Sequence, residues 1–374
     1  MIVRDEADVL EACLASIRDA VDDIVVVDTG STDDSPDIAR AFGARVYREV
    51  WTENFSAARN AALDHVESQW VLYIDADERL APTSRVAVEN LLAGAPEIAF
   101  RLLLRPRVGW TPYREYRLWR NDPRIRFDGV IHEKVVPSIH AVATAERRPI
   151  GVCDLLLEHV GYEGDQTAKH WRNLPLLRRQ VAVEPGNLFA WHHLASVLAA
   201  LGEPDEAERA LTNAVAVARE RDFVDPTGVL AMSQLISMRL SRGETVELLL
   251  AEARNAYPAN WLLVWLEGRV LTAAGQFDAA LDRFNRLVGV DRKRLPEDGP
   301  AYEERLFGEL AHDARGLCLF RLGRYRDAAL AYAAAALHSL DDRGYSVKRE
   351  LALARCARAD PAPELSGIGD GSAQ

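Results

Sequence analysis

Cysteine is scarce in this chain, with only Cys13, Cys153, Cys318 and Cys356 among 374 residues and no CxxC pair. Such scatter excludes a clustered zinc site or a dithiol redox centre, and the four are expected to be buried thiols. Long apolar runs are missing too. No stretch approaches the roughly 20 apolar residues that a membrane-spanning helix needs. Positive charge is in deficit, with 45 Lys and Arg against 57 Asp and Glu and a formal net charge of -12. That balance argues against a nucleic-acid surface, because phosphate binding needs clustered Lys and Arg. No basic leader followed by an apolar segment opens the chain, so nothing marks it for secretion and a cytoplasmic location is expected.

What is present is a globular composition, 48% hydrophobic and 27% charged. The length exceeds one ordinary core, since domains settle at roughly 100–200 residues, so two domains are expected. Residues 1–165 alternate short apolar runs with amphipathic stretches, the pattern of strands interleaved with helices. Strands are expected at Met1–Val3, Ile24–Val27, Arg45–Tyr47 and Val71–Ile74, and helices at Asp8–Ala20, Ser35–Phe42, Ser56–Val66 and Thr83–Leu92. The expected product is a mostly parallel sheet whose first strand looks clipped, as if a few residues preceded Met1. Between Ile98 and Glu158 the helical signal fades and β-prone runs such as AFRLLL and YRLW predict a mixed, partly antiparallel sheet.

Residues 166–358 read as helical throughout, with turn glycines at Gly202, Gly243, Gly275 and Gly323, separated by 41, 32 and 48 residues. Irregular spacing of that order points to stacked helix pairs. Around Gly202 stand Trp191, Leu194, Ala195, Leu198, Ala207, Leu211 and Ala214. The matching offsets hold Val264, Gly268, Leu271, Phe277, Ala280, Phe284 and Leu287 around Gly275, and Gly316, Leu319, Tyr325, Ala328, Tyr332 and Ala335 around Gly323. Small residues thus fall where two helices must approach closely. The pattern resembles the tetratricopeptide repeat, against the plainer alternative of an irregular bundle. The Gly243 unit is degenerate, Asp291–Tyr302 reads as an inserted loop, and residues 359–374, rich in Pro, Gly and Ser, are expected to be a disordered tail.

Two motifs carry the chemistry. In VVVDTGSTDDS an apolar strand ends at Asp28 before a turn into a helix, the edge where open α/β sheets bind ligands. Capping accounts for Ser31 to Asp34 but not for Asp28 on a buried strand, which suits hydrogen bonds to a base or ribose. In WVLYIDADERL a second strand closes on Asp75, Asp77 and Glu78, with Asp75 falling 47 residues after Asp28. Carboxylates so spaced can share a divalent cation, since Mg²⁺ and Mn²⁺ favour oxygen ligands and retain waters and phosphates.

In that order VVDTGSTDD, NFSAARNAAL and YIDADE resemble the family 2 glycosyltransferases, which carry a nucleotide-binding GT-A fold. The opening MIVRDEADVLEACLASI, the HE of FDGVIHEKV and the attached repeats are similar to a bacterial subgroup that fuses this transferase to tetratricopeptide repeats and includes peptide S-glycosyltransferases. The implied architecture is an α/β GT-A domain with a mixed sheet followed by an all-α repeat domain. The resemblance implies that Asp28 meets the base, that Asp75 faces the ribose, and that Asp77, with Asp75, holds Mn²⁺ or Mg²⁺ at the diphosphate. Arg59 and Asn60 are implied to lie beside the nucleotide, although a structural salt bridge suits Arg59 nearly as well. Glu6 is a weaker candidate for base or ribose, because Asp5 stands where the family often has Asn.

Acceptor chemistry is expected at His132 and Glu133, 57 residues beyond Asp75 on a loop, with Glu133 as base and His132 in a positioning role. In LLLEHVGYEGDQTAKHWRN, His159 is a candidate third metal ligand, and Lys169 or Arg172 candidate clamps on the leaving diphosphate; an interdomain hinge with solvated charges is the alternative. The function expected is inverting transfer of a sugar from a nucleoside diphosphate donor, UDP-linked, to a peptide, lipid-linked or saccharide acceptor, with the repeats as a candidate protein-binding surface. The rivals are a repeat-based adaptor with an inactive front domain, disfavoured by intact Asp28, Asp75, Asp77 and Glu133, and a nucleotidyltransferase, which would carry a Gly-rich phosphate loop before Asp28.

Overall fold

A computed structural model describes residues 1–161, 166–339 and 343–359; the expected tail lies almost wholly outside them. The front of the chain runs β1 (Ile2–Val3), α1 (Ala7–Ile17), β2 (Val25–Asp28), α2 (Ser35–Ala41), β3 (Arg45–Arg48), α3 (Phe55–Asp64), β4 (Trp70–Leu72), β5 (Glu78–Leu80) and α4 (Arg85–Leu92). Then follow β6 (Ala99–Arg105), β7 (Tyr113–Arg120), α5 (Val136–Glu146) and β8 (Ile150–His159). Strands β1, β2 and β3 form a parallel sheet, with Val3 opposite Asp28 and Asp28 opposite Arg48. The other five make a sheet of order β4-β7-β6-β8-β5.

Two expectations need correction. Parallel pairing is confined to β1–β3 and to β6 with β8, because β4 pairs antiparallel with β7 rather than extending the first sheet. The region from Ile98 to Glu158 also contains a helix, α5. Its β-branched residues and Pro137 hid it, yet Pro sits in the first turn, where no intrahelical N–H is lost. Ile139, Val142 and Ala143 bury its apolar stripe against Trp119, Ile125 and Phe127. A second core packs Leu10, Cys13, Leu14 and Ile17 of α1 against Val26, Ile74, Leu80, Leu102 and Leu157.

Cys13, Cys153 and Cys318 are buried free thiols, as expected; Cys356, on the last helix of the described chain, is only half-buried.

The remaining helices are α6 (Thr167–Val183), α7 (Leu188–Ala200), α8 (Pro204–Arg219), α9 (Gly228–Ser241), α10 (Glu247–Ala256), α11 (Trp261–Ala273), α12 (Phe277–Val288), α13 (Glu309–Arg321), α14 (Tyr325–Leu337) and α15 (Arg343–Ala359). They are tetratricopeptide-like pairs. Gly202, Gly243, Gly275 and Gly323 take positive φ in the turn after the first helix of each pair, which glycine adopts without steric cost. A Cβ at Gly268 would overlap the Phe284 ring, and one at Gly316 the Tyr332 ring, so these glycines let large side chains cross between paired helices. Asn187 and Asn260 cap α7 and α11, each accepting a backbone N–H, an interaction worth about 1 kcal/mol. No helix among the described residues is long and apolar enough to cross a membrane.

The chain divides into two compact units, Met1–Met238 with Arg294–Glu303, and Arg239–Lys293 with the residues from Glu304 onward. The insertion between α12 and α13 thereby contributes a segment to the first unit. There Thr111 N–H donates to the Tyr302 carbonyl at 2.8 Å and Arg114 N–H to that of Glu297 at 2.8 Å, while Arg101 pairs with Asp298 at 2.6 Å.

Candidate functional site

The turn after β2 is built around Asp28, whose side chain is fully buried. Its Oδ1 accepts the N–H of Ser31 at 2.8 Å and that of Gly30 at 3.3 Å, and Oδ2 meets Arg48 at 3.2 Å. Burial opposes the charge, but the bonds from Ser31, Arg48 and Gly30 hold this carboxyl below its usual range. The polar run that follows ties the turn to the start of α1, and Asp33 Oδ1 also accepts the N–H of Ser35, the first residue of α2, at 3.0 Å. Asp33 Oδ2 accepts the Ala7 N–H at 2.9 Å, Ser35 Oγ the Glu6 N–H at 2.8 Å, and Asp5 Oδ1 the Thr32 N–H at 2.7 Å. Asp34, the N-cap residue of α2, makes no side-chain cap.

Beyond β4 the acids diverge. Asp75 sits in a buried cluster: Arg59 Nη1 donates to Oδ1 at 2.7 Å, Tyr73 donates its hydroxyl to Oδ2 at 3.0 Å, and Arg117 lies 4.0 Å away. Arg59, on α3, also donates to Glu133, and Arg117 pairs with Glu78 at 2.7 Å. Both guanidinium groups lie over the Tyr73 ring, Arg59 at 4.5 Å and Arg117 at 4.3 Å from its centroid. Burial opposes ionisation of Asp75, yet the two arginines outweigh it and hold the carboxyl well below its ordinary range. Burial wins at Glu78, whose carboxyl is raised despite Arg117. Below the cluster Cys13 donates its thiol to the Asp75 carbonyl at 3.3 Å.

Asp77 faces a different set. Its Oδ2 lies 3.2 Å from His159 Nε2 at the end of β8 and 3.7 Å from Lys169 Nζ on α6. Burial opposes its charge, and the His159 hydrogen bond and charge, helped by Lys169, outweigh it, so the carboxyl is lowered. A Cβ at Gly161 would overlap this carboxylate, so glycine is required for the chain after β8 to pass so close. Glu6, where α1 begins, is pushed up to about 7 by burial first and Asp77 second, with Lys169 and Arg172 opposing.

The expected residues therefore form two groups and some outliers. Asp75, Arg59 and Glu133 join directly; Asp77, His159, Lys169 and Glu6 form a neighbouring set. Asn60 is spent on the backbone of Phe127, donating to its carbonyl and accepting its N–H, both at 2.9 Å. Arg172 lies 5.7 Å from the Phe55 ring centroid. His132 is turned toward α7, its ring 3.9 Å from that of His193. Tyr73 and Arg117 were missed; the available signal was a charge, Arg117, in the middle of the apolar end of YREYRLW. Among the described residues no three His, Cys, Asp or Glu side chains converge as a metal site.

Residues 1–150 match the family described as Glycosyl transferase family 2. The chain is 36% identical over 218 residues to a TPR repeat-containing protein of Synechococcus elongatus, covering 56% of this chain and 54% of that one. It is 25% identical over 264 residues to the SPbeta prophage-derived glycosyltransferase SunS of Bacillus subtilis, covering 67% and 60% respectively. To the lipopolysaccharide core biosynthesis glycosyltransferase LpsC of Rhizobium meliloti it is 31% identical over 152 residues, covering 37% and 56%. The chain thus spans between 54% and 60% of the length of these relatives.

Proposed function

Starting from a family 2 glycosyltransferase domain in residues 1–150 joined to tetratricopeptide-like repeats, we propose that the protein transfers a sugar, with inversion, from a UDP-linked donor to an acceptor hydroxyl or thiol. The observation that carries the reading is the meeting of Asp77, His159 and Lys169 beside the Asp75–Arg59–Glu133 chain, which sets candidate ligands and positive charge next to a second carboxylate.

Asp77, in the turn before β5, and His159, at the end of β8, are the pair that would hold Mn²⁺ or Mg²⁺, an oxygen and a nitrogen donor 3.2 Å apart. Such an ion, when bound, supplies positive charge to the departing diphosphate. Asp75 is committed to Arg59 and Tyr73, so its part is to hold the strand end in place. Lys169 brings a second positive charge to the leaving group. Asp28 binds the base through Oδ2 once Arg48, 77% exposed and hence weakly held, moves aside. Glu133 gives Oε1 to Arg59 and takes the acceptor proton at its other oxygen. The acceptor atom then attacks the anomeric carbon opposite the diphosphate, the bond to the diphosphate breaks, and the nucleoside diphosphate leaves with the electron pair. The acceptor class is a glycan, a lipid-linked saccharide or a peptide, held in part by the helical pairs.

The test is hydrolysis of a panel of nucleotide sugars with and without Mn²⁺. Asp77→Ala should abolish turnover, about a hundredfold loss or more, while shifting the melting temperature little. Wild-type turnover by this variant in chelator-treated protein would remove the metal from the reading.

A further inference from the structure

His132 has a φ of 54°, in the left-handed region that side chains other than glycine seldom enter. Strain of this kind survives where the surroundings hold it. The loop carrying it is closed by Asp128 and Lys134, which exchange backbone bonds of 3.1 and 2.8 Å. From one side α3 grips it: the Phe55 N–H donates to the Val130 carbonyl at 2.9 Å, Ser56 Oγ donates to the Gly129 carbonyl at 2.6 Å, and Arg59 donates to Glu133.

The other side is gripped by α7. The His132 ring lies 3.9 Å from His193 and 5.3 Å, edge-on, from Phe189, and those two rings are 4.2 Å apart. Lys134 Nζ stands 5.9 Å from the Phe189 ring centroid. His192 completes the group, 5.5 Å from His193. Burial pushes His132 and His192 down to about 4 and His193 well below its usual value. At neutral pH the contact is therefore between uncharged rings, and it acts by shape over a short range.

We propose that α7 is a second clamp on the loop of His132 and Glu133, and that His193, backed by Phe189, is a positioning residue that sets Glu133 through the ring of His132. What Glu133 does when so placed rests on the transfer reading; the clamp does not. Because α7 belongs to the helical pairs by sequence and to the first compact unit by packing, the first repeat is part of the acceptor side of the site.

The experiment uses the full chain and the variants His193→Ala, His193→Phe and Glu133→Gln. Hydrogen exchange across residues 128–134 should rise about fivefold or more in His193→Ala as local opening becomes easier, and return toward wild type in His193→Phe, which restores a ring. With UDP-glucose and Mn²⁺ as probe, His193→Ala should lower kcat about tenfold with KM within about twofold, and His193→Phe should recover most of it. Unchanged exchange in His193→Ala overturns the clamp, whichever donor the enzyme prefers. Wild-type turnover by Glu133→Gln overturns the assignment of Glu133 as base and leaves the clamp to be judged by exchange.

Discussion

Asp75 and Asp77 leave the same strand two residues apart and enter opposite surroundings. Asp75 is enclosed by Arg59, Arg117 and Tyr73, with Glu78 and Glu133 completing a buried network of two cations and three acids. Asp77 faces His159, the half-exposed Lys169 and the carboxyl of Glu6, on a face closed by a glycine. The first region is a network of paired charges; the second is the one to which the proposed transfer reading assigns the ligands. A carboxylate pair in a sequence thus need not be a pair in chemistry.

Removing the centre of the network should have the largest effect. Arg59→Met leaves Asp75 and Glu133 facing without their shared cation, and breaking a buried pair in this way costs about 3–5 kcal/mol. Urea unfolding should show that loss, whereas Asp77→Ala should cost far less stability while abolishing turnover. A loss below about 1 kcal/mol for Arg59→Met would erase the distinction between the two regions.

Asp28 tests the same distinction at the neighbouring strand end. Asp28→Asn keeps an acceptor for the Ser31 N–H, so the turn should survive, but it removes the charge. UDP affinity by calorimetry should fall about tenfold, or 1.4 kcal/mol, with little change in melting temperature. A large stability loss with unchanged affinity would return Asp28 to a purely structural role.

A separate test is a pH dependence from the imidazoles at α7. His132 and His192 are depressed to about 4 in the folded chain by burial, from about 6.5 when unfolded. Their folded values lie below their unfolded ones, so the neutral rings contribute stability that is fully present above about 6.5 and is lost as pH falls toward 4. Around His132, Glu133 opposes this shift, while Lys134 and Lys169 reinforce it, and His192 and His193 sit beside the ring. His132→Asn, which tolerates the left-handed backbone, should lose less stability than wild type between pH 6.5 and 4; equal slopes would show that the cluster does not titrate on unfolding.

Local pattern was enough for the elements that are local. Strand ends at Asp28 and near Asp75, the Gly-marked helix pairs, and Gly268 and Gly316 as crossing points under Phe284 and Tyr332 all follow from periodicity and side-chain size, which act over a few residues. The partners of the charges were not legible in this way. Arg59 reaches Glu133 across 74 residues, and Asp77 meets His159 from a strand 82 residues on, because β5 pairs with β8 and α3 packs beside the loop of Val130. No sequence rule tells which carboxylate oxygen two buried guanidinium groups will claim, or that the side-chain amide of Asn60 will close on the backbone of Phe127. Those choices belong to the tertiary structure, where removing water from a charge makes its nearest available partner decisive.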